Sequence, residues 1–103
     1  MANLNKLMKQ AQAMQARMAE VQEALGQAEL EASSGGGAVT VRMNGKQEMT
    51  GISIKKEAVD PDDVEMLEDM ILAAYREARA KSEAMAQEQM SKVTGGMGLP
   101  GLM

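Results

Sequence analysis

No cysteine and no histidine occur anywhere in the chain. The first absence excludes disulfides and thiolate nucleophiles. Together the two remove the usual zinc ligand sets. Without histidine the commonest general base near neutral pH is gone as well. Aromatic residues are nearly missing: they make up 1%, and Tyr75 is the only ring. Rings normally supply the largest core blocks, so a core here is built from smaller aliphatic side chains and the 12 methionines. No apolar run reaches the roughly 18–20 residues that a membrane-spanning helix needs. Lys6 and Lys9 precede no continuous apolar block, so the start does not read as a secretory signal. Twelve methionines and no cysteine are compatible with a reducing cytosol, and no membrane partner is expected.

What is present suits one small domain: 103 residues, 45% hydrophobic and 25% charged, with a formal net charge of −4. A chain of this length buries only part of its surface, and flexible methionine specifies packing weakly. A homo-oligomer that buries more apolar surface between copies is therefore expected. The net negative charge taken alone argues against nucleic acid, because phosphates attract bases. The distribution of charge matters more than its sum.

The first segment reads as a helix from about Asn3 to Gln27. Leu4, Leu7, Ala11, Met14, Met18, Val21, Leu25 and Ala28 recur at alternating steps of three and four, a heptad seam. Alanine, glutamine, glutamate and lysine fill the rest and favour helix. The seam is expected to be buried, against the protein's own core or a dimer partner.

The period then changes to two. Ala28, Leu30 and Ala32 alternate with Glu29, Glu31 and Ser33; Val39, Val41 and Met43 with Thr40, Arg42 and Asn44; Ile52 and Ile54 with Ser53 and Lys55. Such alternation predicts antiparallel strands with one wet face. "SSGGG" at 33–37 and "NGKQ" at 44–47 have hairpin-turn compositions. Pairing Val39 with either Ile52 or Ile54 keeps the apolar residues on one face, and a slip of one residue would not.

"DPDD" at 60–63 predicts a helix start, with Asp60 as cap, Pro61 in the first turn and Asp62, Asp63 and Glu65 at the positive end of the dipole. The helix is expected to reach about Val93, a length of roughly 50 Å at 1.5 Å per residue. Its apolar stripe is Val64, Leu67, Ile71, Ala74, Ala78 and Met85, with Lys81 falling where an apolar residue belongs. So long a helix overruns a small sheet, and its far end is expected to project or to lie on another helix. The organisation is thus one domain over residues 1–93 and a flexible Gly/Met-rich tail over 94–103, whose leucines and methionines suit docking in a groove.

No catalytic constellation is visible. "GGG" lacks the GK[ST] ending of a phosphate-binding loop. "DPDDVEMLED" lacks the spaced oxygens and central glycine of a calcium loop, and Ser33 and Ser34 have no histidine to activate them. The expectation is no enzyme, no metal, no cofactor and no small-molecule substrate. What remains is charge geometry. If the first helix runs out and the last returns, Lys6, Lys9 and Arg17 come near Arg76, Arg79, Lys81 and Lys92, diluted by Glu77, Glu83 and Glu88. Asp60, Asp62, Asp63, Glu65, Glu68 and Asp69 then sit at the other end, near the sheet.

Four stretches, "LMKQAQAMQARM", "VRMNG", "EMLEDMILAAYREAR" and "GGMGLPG", together resemble the YbaB/EbfC family of bacterial nucleoid-associated proteins over nearly the whole chain and in the expected order. The resemblance implies an α+β fold: an α-β-β-β-α subunit with a three-stranded antiparallel sheet between two long helices, paired as a tweezers-like homodimer. It implies binding of double-stranded DNA in the cytoplasm, in association with the nucleoid, with effects on DNA conformation and gene expression. Function in the family is attributed to the two helices. Carried onto this sequence, that points to Lys6, Lys9 and Arg17 on the first and to Arg76, Arg79, Lys81 and Lys92 on the last, with Lys9 inside the "LMKQAQ" motif. Binding would be electrostatic, through phosphates, with few base contacts. The competing reading is a prefoldin-like chaperone or a dimeric protein-interaction scaffold. Helix, hairpin and helix also build such subunits, and methionine-rich surfaces adapt to varied clients.

Overall fold

The computed structural model describes residues 2–96. The chain runs α1 (Ala2–Gln27), β1 (Leu30–Ser34), β2 (Val39–Met43), β3 (Met49–Ile54), one 3-10 turn (Lys56–Ala58) and α2 (Val64–Gly96). This is the expected α-β-β-β-α order. Up to Glu20, α1 contains no glycine, proline or β-branched residue, so nothing in it opposes helix. It ends at Gly26 and Gln27, where the Ala28 N–H donates to the Ala24 carbonyl at 2.9 Å and the Gly45 N–H to the Leu25 carbonyl at 2.7 Å. α2 includes Thr94, Gly95 and Gly96, three positions assigned in the sequence to the tail. The rest of that expected tail, residues 97–103, lies outside the described residues.

The sheet is antiparallel in the order β1-β2-β3. Ser33 and Ser34 belong to β1, and the tight connection to β2 is made by Gly35, Gly36 and Gly37 at φ 61, 67 and 94°. Three left-handed residues in a row explain the glycine run. Between β2 and β3, Val39 pairs with Ile54 and Val41 with Ile52. The pairing then shifts, with Arg42 opposite Gly51 and Met43 opposite Met49. Thr50 is the extra residue of a β-bulge. It brings the odd-numbered Met49 onto the face of the even-numbered Ile52 and Ile54, a change of parity that strict alternation does not show.

The start of α2 differs from the expectation. Asp60 to Asp63 form a turn, with the Asp63 N–H on the Asp60 carbonyl at 2.9 Å. Asp60 Oδ1 accepts the Asp62 N–H at 2.9 Å, while Asp63 Oδ1 accepts the Met66 N–H at 3.2 Å. Asp63 is therefore the cap and Pro61 sits in the turn before the helix. Both Asp60 and Asp63 precede a carboxylate-rich stretch, and only the placement of the turn chooses between them.

The core is made of small pieces. Ala32, Val39, Val41 and Met43 of the sheet are buried beneath Ala74 and Ala78 of α2, with Leu67, Met70, Ile71 and Tyr75 packed around them. Two alanines let the helix sit close to the sheet. The buried phase of α2 runs on through Ser82 to Val93. Lys81, expected on the stripe, is exposed beside it and donates from Nζ to the Glu31 carbonyl at 3.1 Å. The sheet lies between the two helices in chain order. In space α2 covers one sheet face, and α1 packs on the far half of α2.

Leu25 and Val93 are buried at that helix pair, and Val21 and Met14 are half-buried. From Asn3 to Ala13 every residue of α1 is exposed. Leu4, Leu7 and Met18, expected in a buried seam, are 63%, 60% and 38% exposed in the protomer. The stripe is continuous, but the described part of α2 covers only its inner portion. The molecule is accordingly a rod of 73 × 25 × 16 Å.

Candidate nucleic-acid interface

The joint that aims α1 is built from the β2–β3 turn. Asn44 is buried, and its Oδ1 accepts the Lys46 N–H at 2.8 Å and the Glu48 N–H at 3.1 Å. Its Nδ2 donates to Glu48 Oε1 at 2.7 Å. Gln47 takes the left-handed conformation that this loop requires, at φ 63°. Ser82 of α2 then fastens the turn. Its Oγ, fully buried, donates to the Asn44 carbonyl at 2.7 Å and accepts both the Gln47 N–H and Gln47 Nε2 at 3.0 Å. On the other side Gly45 binds the Leu25 carbonyl, and a Cβ there would sit 2.9 Å from that oxygen and 3.1 Å from the Leu25 Cα. One four-residue turn is thus bonded to the end of α1 and to the middle of α2. Its polar groups are satisfied, as buried groups need to be. Sequence reasoning missed Ser82 and Asn44. The available signal was a serine in phase with Ala74 and Ala78.

The seven bases assigned from the sequence fall into two groups. Lys6 and Lys9 stand on the outer half of α1, with no other element beside them among the described residues. Helical spacing directs them away from the stripe of Leu4, Leu7 and Ala11. Arg17 faces Lys92 across a shallow depression also lined by Glu20, Val21, Gln89 and Val93. Lys92 Nζ lies 3.9 Å from Glu88 Oε1, an exposed pair that holds little energy and leaves the ammonium accessible. These four bases share one end of the rod.

Arg76, Arg79 and Lys81 do not join them. They lie along α2 beside the sheet; Arg79 is 13 residues, or about 20 Å, from Lys92. Arg79 Nε donates to Glu83 Oε1 at 2.9 Å and Nη1 to the Tyr75 hydroxyl at 3.4 Å. The hydrogen bond to Glu83, then that to Tyr75, raises its pKa above the ordinary guanidinium value. Lys81 is held at the β1 edge by the Glu31 carbonyl. Four further bases, Arg42, Lys46, Lys55 and Lys56, were not singled out. Arg42 lies over Gly51 on the outer sheet face and donates from Nη1 to Ser53 Oγ at 3.1 Å. Lys46 runs along the end of α1 at Gly26.

A second exposed feature is apolar. Ile52 and Ile54 share a sheet face with Val39 and Val41, yet they remain 39% and 37% exposed because α2 lies over β1 and β2. Leu72, on the flank of α2 opposite Glu77 and Lys81, is 45% exposed, and Met49, Val59, Val64 and Met66 are open as well. Among the described residues no cluster of three or more Asp, Glu, His or Cys is placed to hold a metal ion. None of the described helices is long and apolar enough to cross a membrane.

The family model described as the YbaB/EbfC DNA-binding family matches residues 1–97. A nucleoid-associated protein of Alkaliphilus metalliredigens is 55% identical over 100 residues, covering 97% of this chain and 88% of that protein. One of Moorella thermoacetica is 54% identical over 101 residues, covering 98% and 97%. Among solved structures, an uncharacterized protein of Helicobacter pylori superposes with a TM-score of 0.65 at 20% identity, over 76% of this chain and 90% of that one. That last likeness speaks to the fold.

Proposed function

Because the chain belongs to the YbaB/EbfC DNA-binding family and its relatives are nucleoid-associated proteins, it is a DNA-binding nucleoid protein, and we propose that it holds duplex DNA with the basic end of its helical rod. One observation carries this reading: Lys6 and Lys9 project from a stretch of α1 in which every residue is exposed, with Arg17 and Lys92 behind them. Bases on an unobstructed helix can approach phosphates without first breaking protein contacts. Arg79 and Lys81 are engaged beside the sheet, Arg76 stands on the same stretch of α2, and the three play the smaller part.

Two copies make the grip. The pairing surface is the open flank of Ile52, Ile54 and Leu72, where apolar area of one protomer lacks cover. β3 is also an edge strand, with backbone groups free to pair. Joined there, two rods would present two basic ends as tweezers. The contacts are to phosphates, because no aromatic side chain stands at the end of the rod to stack on bases. Straddling a duplex in this way alters its path, and through that the organisation of the nucleoid and gene expression. The protein works at the nucleoid, and no step of this function calls for a catalyst.

The test is fluorescence anisotropy of a labelled duplex across a salt series. The expected log–log plot is linear, with a slope of about 0.9 per phosphate contact. Absence of binding even at low salt overturns the reading. The exposure of Leu4, Leu7 and Met8 at the same end favours the second reading, a client-holding chaperone. Replacing Lys6 and Lys9 by glutamate separates the two, since it removes DNA affinity and leaves an apolar client surface intact.

A further inference from the structure

The turn that aims α1 contains the dipeptide Asn44-Gly45. A backbone nitrogen can attack the side-chain amide carbon of an asparagine that precedes it, and glycine, with no Cβ, hinders that attack least. The other asparagines, Asn3 and Asn5, precede Leu4 and Lys6, whose side chains crowd the same approach. In the unfolded chain Asn44 is therefore the most labile of them. The joint nevertheless demands both residues of the pair. Gly45 is not left-handed. Space requires glycine there, because a Cβ would lie 2.7 Å from Leu25 Cδ2 and 2.9 Å from the Leu25 carbonyl oxygen. Asn44 is required by its bonds. Its Oδ1 accepts the Lys46 and Glu48 N–H groups and its Nδ2 donates to Glu48 Oε1. At this side-chain length only asparagine supplies both an acceptor and an amide donor. The contacts that require the pair also hold its reaction off. Before attack, the Gly45 N–H has to leave the Leu25 carbonyl at the end of α1, and the Asn44 amide has to leave its partners in the turn. Ser82 fixes the same turn through the Asn44 carbonyl and Gln47.

We propose that Asn44 is a deamidation site gated by the α1 joint: the closed joint keeps the asparagine intact, opening exposes it to reaction, and the product holds the joint open. In the reaction the Gly45 nitrogen bonds to Asn44 Cγ. The Cγ–Nδ2 bond breaks, and Nδ2 leaves as ammonia with the proton from the Gly45 nitrogen. Water then opens the five-membered imide at either carbonyl, so the net change is loss of ammonia and gain of water. Opening at Cγ leaves an ordinary aspartate. Its new oxygen stands where Nδ2 donated to Glu48 Oε1 at 2.7 Å, so a hydrogen bond becomes a repulsion between two carboxylates in a part-buried turn. Opening at the main-chain carbonyl routes the chain through the side-chain carbons. That lengthens the backbone by one atom and displaces Gly45 from Leu25. Both products unfasten the turn from the end of α1. The modification thus acts on the element that aims the helix, and it leaves Lys6, Lys9, Arg17 and Lys92 chemically unchanged.

The test follows Asn44 by peptide mass spectrometry while the full chain is incubated in mildly alkaline buffer, native and unfolded in urea. Native deamidation is expected to be at least about tenfold slower, since only the open fraction reacts. Equal rates overturn the proposal. Two variants then separate opening of the joint from unfolding of the whole chain. Ser82→Ala is compared, under native conditions, with a sheet-core variant of matched stability such as Val41→Ala. Ser82→Ala is expected to speed deamidation about fivefold or more over the parent, as loosening of the local turn requires, and the core variant is expected to speed it clearly less. Equal acceleration by the two variants, or none by Ser82→Ala, overturns the gating. The effect of the product is read separately on Asn44→Asp, with spin labels on Gln10→Cys and Lys55→Cys in a chain that has no native cysteine. The distance distribution is expected to broaden relative to the same labels on the parent, and an unchanged distribution overturns the claim that the product opens the joint. None of these readouts involves DNA, so failure here is distinct from failure of DNA binding.

Discussion

The two halves of α1 have the same apolar period and different fates. In the inner half, Val21 and Leu25 pack against α2, and Leu25 is 3% exposed. In the outer half, Leu4 and Leu7 repeat the pattern and stand in water at 63% and 60%. Periodicity therefore marks the face on which a partner can lie, not how much of that face is covered. The contrast extends to charge. The inner half is fixed by the Gly45–Leu25 hydrogen bond and the Ser82 clamp, whereas the outer half carries Lys6 and Lys9 on a free surface. The first fixes the direction of α1, and the second leaves its bases open to solvent.

The comparison can be broken most directly at its anchor. Leu25→Ala should cost about 2–5 kcal/mol in denaturant unfolding, the range for a buried leucine, and Leu7→Ala should cost several-fold less. Comparable losses at the two positions would show that the outer half is packed as firmly as the inner. Next in size is the clamp. Ser82→Ala leaves the Asn44 carbonyl and the Gln47 donors without their partner, at about 1–3 kcal/mol for a buried unsatisfied group. Because the same turn aims α1, spin-label distances from Gln10 to a site on the sheet should broaden, while a mutation of equal cost in the sheet core leaves them narrow. The smallest effect on stability is expected from Lys9→Glu, within about 0.5 kcal/mol for an exposed position. It should nonetheless weaken duplex binding and lower the salt slope by about one counterion per site. Arg76→Glu should weaken binding less, which sharpens the division between the end of the rod and the sheet-side bases.

The elements themselves were legible in the sequence. Steps of three and four wrote α1 and α2, and alternation wrote β2. The glycine run marked the first hairpin. The pairing of Val39 was narrowed to two partners, since hydrophobic parity allows both. Choosing Ile54 over Ile52 took the three-dimensional turn, and the bulge at Thr50 broke the parity rule for Met49. The cap was misread by three residues because a turn led by Asp60 precedes it. Lys81 was placed on the buried stripe because a serine was not expected to stand in for an apolar residue. Ser82 does so by exchanging hydrogen bonds with a turn 35 to 38 residues away in sequence.

Of the candidate site, Lys6 and Lys9 were legible because position along a helix follows from residue number alone. Their separation from Arg76, Arg79 and Lys81 was not, because it depends on where α2 crosses the sheet and where it meets α1. The sequence by itself determined the element order, the polar and apolar faces of each element, and the exclusion of thiol and imidazole chemistry. These follow from local backbone preference and side-chain period. The tertiary structure alone decided where α2 meets α1, which bases share an end, and which apolar faces of the described residues remain open. Those depend on distances between segments remote in sequence, and local propensity carries no information about them.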